Sequence, residues 1–194
     1  MKRIRIHFAG VGGQGTLTAT TLLSKAALDE GLSVVSGEIH GMAQRGGVVE
    51  STLLIGGWRS PVISTKEADI ILGFEALETL RALPYLAPEG YILSSTDFVP
   101  PPGVSAGTEE CPSLEDIKQM SAKWAKQVWF VPCRELGLKA GSEQCANTVL
   151  LGALAAADLL PFGVDALKKA VERHLPPKLA PMNVAAIEFG AKAI

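Results

Sequence analysis

IRIHFAGVGGQGTLTATTLLSKAAL, the stretch from Ile4 to Leu28, sets out a short strand, a glycine loop and a helix in direct succession. The loop Gly10-Val11-Gly12-Gly13-Gln14-Gly15 fits G-x-G-x-x-G between a predicted strand and a predicted helix, the context in which that pattern carries meaning. Glycine suits it because such a turn calls for positive φ and because a Cβ would hold a ligand or a neighbouring backbone away. A helix opening onto the loop presents free N–H groups and the positive end of its dipole, which suits an anion. The same spacing also serves as a plain tight turn in α/β folds, and the loop by itself leaves both readings open.

The flanks qualify this picture. The first strand alternates Ile4, Ile6 and Phe8 with Arg3, Arg5 and His7, whereas a parallel strand covered on both faces would be apolar throughout. One face is thus left for polar groups or a partner, and His7 is expected to point outward. The helix from Thr16 to Glu30 carries Ala19, Leu22, Leu23, Ala26 and Ala27 at helical spacing and stops at Gly31. Leu32 to Val35 forms a second strand. A dinucleotide-binding fold wants an acid at its end for the ribose hydroxyls. The chain offers Ser36-Gly37 there and Glu38 only afterwards, which speaks against a nicotinamide or flavin site.

The second informative stretch is EIHGMAQRGG, Glu38 to Gly47. It has no clean period and reads as a loop or short helix whose backbone comes close to something. Arg45, beside Gly46 and Gly47, is either a bidentate clamp for a carboxylate or phosphate or a surface arginine on a glycine-flexed loop. Val48 to Ile55 is a strong strand. Gly56-Gly57 followed by Trp58 to Ile63 predicts a hairpin return, placed at an edge because Pro61 cannot donate to a ladder.

The β-α-β rhythm then resumes with a strand from Ala68 to Phe74, a helix from Glu75 to Leu83 and a strand from Tyr91 to Ser95. Glu75 reads as a first-turn helix acid. Val99 to Gly103 (VPPPG) is linker-like, and Ser113 with Asp116 predicts a capping box opening a helix to Lys126. A strand from Val128 to Val131 and a helix from Cys133 to Lys139 follow, closed by Gly141. Helices from Gln144 to Leu160, Val164 to Leu175 and Asn183 onward fill the C-terminal third. The small residues of LLGALAAA permit close helix packing, and the apolar last helix docks on a core or a partner. Asn147 either reaches a neighbouring chain or ligand or is an ordinary first-turn asparagine. The fold class expected is α/β: a three-layer Rossmann-like, mostly parallel sheet with an inserted antiparallel edge hairpin and a helical C-terminal third, forming one domain over residues 1–194.

Composition narrows the function classes. A chain of 194 residues that is 47% hydrophobic has enough apolar mass for one sizeable core. A net charge of −2 without a basic stripe argues against nucleic acid. Cys111, Cys133 and Cys145 have no C-x-x-C spacing, so neither a zinc nor an iron–sulfur site is suggested. Their odd, sparse count fits a reducing cytoplasm. The start of the chain has no apolar core of a signal peptide. The longest apolar run, Val149 to Ala157, is too short to span a membrane.

Taken in order, GVGGQG, Glu38 and HGMAQRGG make the chain resemble the gamma subunit or domain of 2-oxoacid:ferredoxin oxidoreductases, with its nearest likeness to the small subunit of the indolepyruvate enzymes. The resemblance covers nearly the whole chain, including the Asn147 helix. It implies oxidative decarboxylation of a 2-oxo acid to an acyl-CoA, with electrons passing to ferredoxin. Thiamine diphosphate, Mg and iron–sulfur clusters would sit on large partner subunits, and no cofactor would be bound by this chain alone, which is then inactive by itself. No catalytic residue and no metal ligand are expected here. Gly10, Gly12, Gly13, Gln14 and Gly15 would form one anion-facing loop and Gln44, Arg45, Gly46 and Gly47 an adjacent one. With Glu38 and Asn147, they would face the large subunit and help hold a coenzyme A phosphate or substrate carboxylate. A free-standing NAD- or FAD-binding enzyme and a non-catalytic assembly module are the alternatives.

Overall fold

A computed structural model describes residues 3–40 and 47–194. Its strands are β1 (Ile4–Val11), β2 (Val34–His40), β3 (Val48–Ile55), β4 (Ala68–Gly73), β5 (Leu86–Ser95) and β6 (Gln127–Val131). They form one sheet of order β2-β3-β1-β4-β5-β6. From β1 outward through β4, β5 and β6 every pairing is parallel. On the other side β3 runs antiparallel to both β1 and β2. The sheet is therefore mixed, with a hairpin inserted beside β1 and β2 at the edge.

That hairpin is built from a different pair of segments than the sequence suggests. The partner of β3 is β2, which runs on through Ser36, Gly37 and Glu38 to His40 and matches β3 from Val34 opposite Ile55 to His40 opposite Val49. Cross-strand pairing outweighs the poor strand preference of Ser, Gly and Glu. Residues 58–63 form no strand. They cross the face of the hairpin, where the Pro61 carbonyl accepts from Thr52 Oγ1 at 2.7 Å. Gly37 lets this coil approach, since a Cβ there would lie 2.8 Å from Pro61 Cβ.

Helices α1 (Thr16–Asp29), α5 (Cys133–Ala140), α6 (Ala146–Ala156), α7 (Val164–His174) and α8 (Ala180–Ala191) form the helical layers on the first face. Ile4, Ile6 and Phe8 of β1 share the main core there with Leu23 and Ala26 of α1 and Leu150 and Leu154 of α6. On the second face Leu77 of α2 (Ala76–Ala82), Leu83 of the 3-10 turn that follows it and Ile117 of α4 (Leu114–Ala122) cover Ile71, Ile92 and Phe130. Ile63 and Trp58 of the coil cover Leu54. A four-residue helix, α3 (Pro102–Ser105), interrupts the linker. Both halves of the Ser113–Asp116 capping box are present, at 3.2 and 3.0 Å.

The small residues of α6 do permit close packing. A Cβ on Gly152 would run into the Ile187 backbone, and one on Gly190 into the Val149 carbonyl, so α6 and α8 meet backbone to backbone. The last helix thus docks on the chain's own core.

His7 departs from expectation. It leaves the first face as its alternation requires, but the second face is covered at that point and His7 is only 3% exposed. Its ring stacks on Tyr85 with centroids 4.5 Å apart, and Nε2 lies 3.9 Å from Glu50 Oε1. Neither ring nitrogen has a hydrogen-bond partner among the described residues. Burial lowers its pKa to about 4, so the ring is neutral near pH 7. Among the described residues no helix is long and apolar enough to cross a membrane.

Candidate functional site

The parallel strands all end at one edge of the sheet, the side on which open α/β sheets take ligands. A cleft of about 760 Å³ opens there, a size suited to a small molecule or cofactor arm. One wall is the glycine loop after β1, the floor is formed by the residues following β5 and β6, and the far wall comes from the starts of α6 and α8.

The loop is held by its own residues. Gln14 N–H donates to the Val11 carbonyl at 3.1 Å, and Gln14 Oε1 accepts from Val11 N–H at 2.8 Å. The Gln14 carbonyl oxygen is thus a brace inside the loop. Gly10 lies beneath it, where a Cβ would come within 3.0 Å of both Gln14 Oε1 and Phe74 Cβ. Gly13 has φ +104° and open space above it. Gly15, at φ +77°, is the N-cap of α1 and provides no side-chain cap, so the first-turn N–H groups lack that partner.

Asn147, at the start of α6, meets this loop directly. Its Nδ2 donates to the Gly15 carbonyl at 3.3 Å, and its carboxamide fills the space a Cβ on Gly15 would need. Next to it, Thr148 Oγ1 donates to Asn183 Oδ1 at 2.7 Å and lies 3.0 Å from Asn147 Oδ1. The end of the second glycine stretch also reaches the loop, since Gly12 N–H donates to the Gly47 carbonyl at 2.9 Å. Glu38 does not join them. It sits exposed on β2 opposite Ser51, outside the residues that line the cleft. Gln44, Arg45 and Gly46 lie outside the described residues.

The floor has its own chemistry. Burial pushes the Asp97 carboxyl above the usual range, against hydrogen bonds from Ser95 and the Arg134 backbone and the Arg134 charge. The Arg134 guanidinium is paired with Glu143, Nε to Oε1 at 2.9 Å. Burial also pushes the Cys133 thiol up to about 12, which keeps it protonated and rules it out as a thiolate nucleophile near neutral pH. The floor therefore presents an acid and an inert thiol, and the positive end of α1 lies at the loop. Among the described residues no group of three His, Cys, Asp or Glu is placed to hold a metal ion.

Ser95, Asp97, Cys133 and Asn183 were not singled out by sequence reasoning. The signal was their place at strand ends and a helix start, which becomes visible only once the strand order is known. Glu75 is the N-cap of α2, accepting from Glu78 N–H, and its other oxygen accepts from Val99 N–H, both at 2.8 Å. It thereby pins the linker segment that borders the cleft.

The family described as pyruvate ferredoxin/flavodoxin oxidoreductase matches residues 5–193. The chain belongs to that family. Indolepyruvate oxidoreductase subunit IorB of Archaeoglobus fulgidus is 37% identical over 97% of this chain and 94% of its own length. The 2-oxoglutarate synthase subunit KorC of Methanothermobacter thermautotrophicus is 27% identical over 99% and 95%. Among solved structures, pyruvate oxidoreductase subunit PORC of Thermotoga maritima has the same fold, with a TM-score of 0.74 at 20% identity over 100% of this chain and 97% of that one. The family resemblance carried by the two glycine motifs is thus confirmed over nearly the full chain. The chain is a subunit of a 2-oxoacid:ferredoxin oxidoreductase.

Proposed function

We propose that this chain is the small, gamma-type subunit of an indolepyruvate- or arylpyruvate-oxidising enzyme of this family, acting as one domain over residues 1–194 in the cytoplasm. The difference between 37% identity to an indolepyruvate subunit and 27% to a 2-oxoglutarate subunit supports that substrate class. Thiamine diphosphate, Mg and the iron–sulfur clusters reside on the large partner subunit, which also passes electrons to ferredoxin, and the isolated chain does not turn over. Its contribution is the cleft mouth. Gly12, Gly13, Gln14 and Gly15 form an anion-facing wall, Gln44, Arg45, Gly46 and Gly47 an adjoining one, and Asn147 closes the opposite side. There the subunit holds a coenzyme A phosphate or the carboxylate of the 2-oxo acid against its partner.

The observation that carries this reading is the Gly12–Gly47 hydrogen bond, which joins the two glycine stretches at the open end of α1. The acid on the floor supports it, because an anionic group is favoured at the loop and disfavoured beside Asp97. The test is Arg45→Ala in the reconstituted enzyme. Loss of one charge-assisted contact raises the apparent KM for coenzyme A or the 2-oxo acid by about tenfold. If assembly and both KM values stay as in the wild type, the ligand assignment is wrong. If only assembly weakens, the chain is an assembly module.

A further inference from the structure

We propose that Asn147 is a positioning residue, the last link of a strut of side-chain contacts that runs from α8 through Thr148 to the glycine loop and steadies the Gly15–Thr16 peptide, whose N–H is the first of α1. The anchor is rigid, because α6 and α8 are pressed backbone to backbone at Gly152 and Gly190. At the first turn of α8, Asn183 Nδ2 donates to the Leu179 carbonyl at 2.9 Å. That bond turns Asn183 Oδ1 toward Thr148, whose single hydroxyl proton is shared in a three-centre bond between Asn183 Oδ1 at 2.7 Å and Asn147 Oδ1 at 3.0 Å. Asn147 is thereby left with its Nδ2 aimed at the Gly15 carbonyl. Asn147 and Thr148 are 8% and 3% exposed, so water does not compete freely for these contacts.

The geometry assigns positioning, and not merely holding, for a specific reason. The Gly15 carbonyl is already satisfied by Ala19 N–H at 2.9 Å, so removing Asn147 orphans no backbone group of the loop. What Asn147 adds is a second donor on the same oxygen, which narrows the swing of that peptide. The Gly15 carbonyl points along α1 to Ala19 and the Gly15–Thr16 peptide is planar and trans, so a second tether on that carbonyl also restrains the Thr16 N–H, which points out of the N-terminal end of the helix. Glycine at position 15 is part of the device, since Asn147 stands where a Cβ would be.

The expected consequence for ligand affinity rests on the proposed function, and the experiment separates the two. Thr148→Val keeps the shape and removes the hydroxyl, and Thr148→Ser restores it. In the full chain, Thr148→Val and Asn147→Ala make the Ala19 amide exchange about fivefold faster, the equivalent of one lost hydrogen bond, and Thr148→Ser does not. In the reconstituted enzyme the same two variants raise the KM for the anionic ligand by a similar factor at unchanged kcat. A merely structural role would instead lower Tm and the yield of complex. Unaltered exchange at Ala19 in both variants overturns the strut. Faster exchange with unmoved KM values supports the strut and removes the ligand reading of the loop.

Discussion

The two faces of β1 carry the same alternation and meet different surroundings. Ile4, Ile6 and Phe8 enter a layer of helices drawn together until α6 and α8 touch through Gly152 and Gly190. Arg5 and His7 enter a face closed by a coil crossing and by Tyr85 at the end of a 3-10 turn, with Asp69 receiving the Arg5 backbone N–H at 2.8 Å. Where α6 meets α8 the helical layer has no room to give, because the nearest neighbours are backbone atoms. The other face tolerates a buried imidazole that has no hydrogen-bond partner among the described residues. The site was built at the end of the sheet where both meet, on the rigid layer.

Breaking the rigid face gives the largest effect. Gly190→Ala or Gly152→Ala drives a methyl into the partner helix's backbone and costs about 3 kcal/mol or more, the upper end for overpacking, read as the shift in urea midpoint. A variant that unfolds at the wild-type midpoint would show that the helices can part. The softer face responds to pH. His7 has a folded pKa of about 4 against 6.5 unfolded, so between those values the unfolded chain binds the extra proton. Stability is complete above pH 6.5, falls as pH drops toward 4, and loses nothing further below that. The loss is about 3 kcal/mol at most. Glu50, whose carboxyl burial raises, works in the opposite direction, becoming less unfavourable as it is protonated. His7→Phe keeps the stack on Tyr85 and flattens the His7 part of the profile, which urea titrations at pH 7 and 4.5 compare directly.

Smaller effects sharpen the contrast at the loop. Gly15→Ala meets both left-handed backbone strain and the Asn147 side chain, which can swing away, and costs about 2 kcal/mol. Gly13→Ala, with φ +104° and nothing near it, meets strain alone and costs about 1 kcal/mol. Equal costs at the two positions would mean that Asn147 is not in contact with Gly15.

Features set by neighbours in sequence were legible beforehand. The loop between β1 and α1, the capping box at Ser113 and the close-packing composition of α6 all declare themselves within a few residues. Asn147 was also marked, though nothing in the sequence says that it meets Gly15, 132 positions away. The errors have one origin. Whether Ser36-Gly37-Glu38 is strand, whether Trp58 to Ile63 pairs or crosses, and whether His7 is wet or dry are all decided by what another segment does. Asp97 and Ser95 escaped for the same reason, since the strand order is what places them under the loop.

The wall opposite the glycine loop depends on α8, the last helix of the fold. A protease nick just ahead of Ala180, or any event that lets α8 peel from α6, would therefore strip the support from behind the G-x-G-x-x-G turn and open the main core at Ala186 and Ile187 in the same stroke. Such a clipped subunit would lose the geometry of its loop and its stability together, and circular dichroism would register the damage.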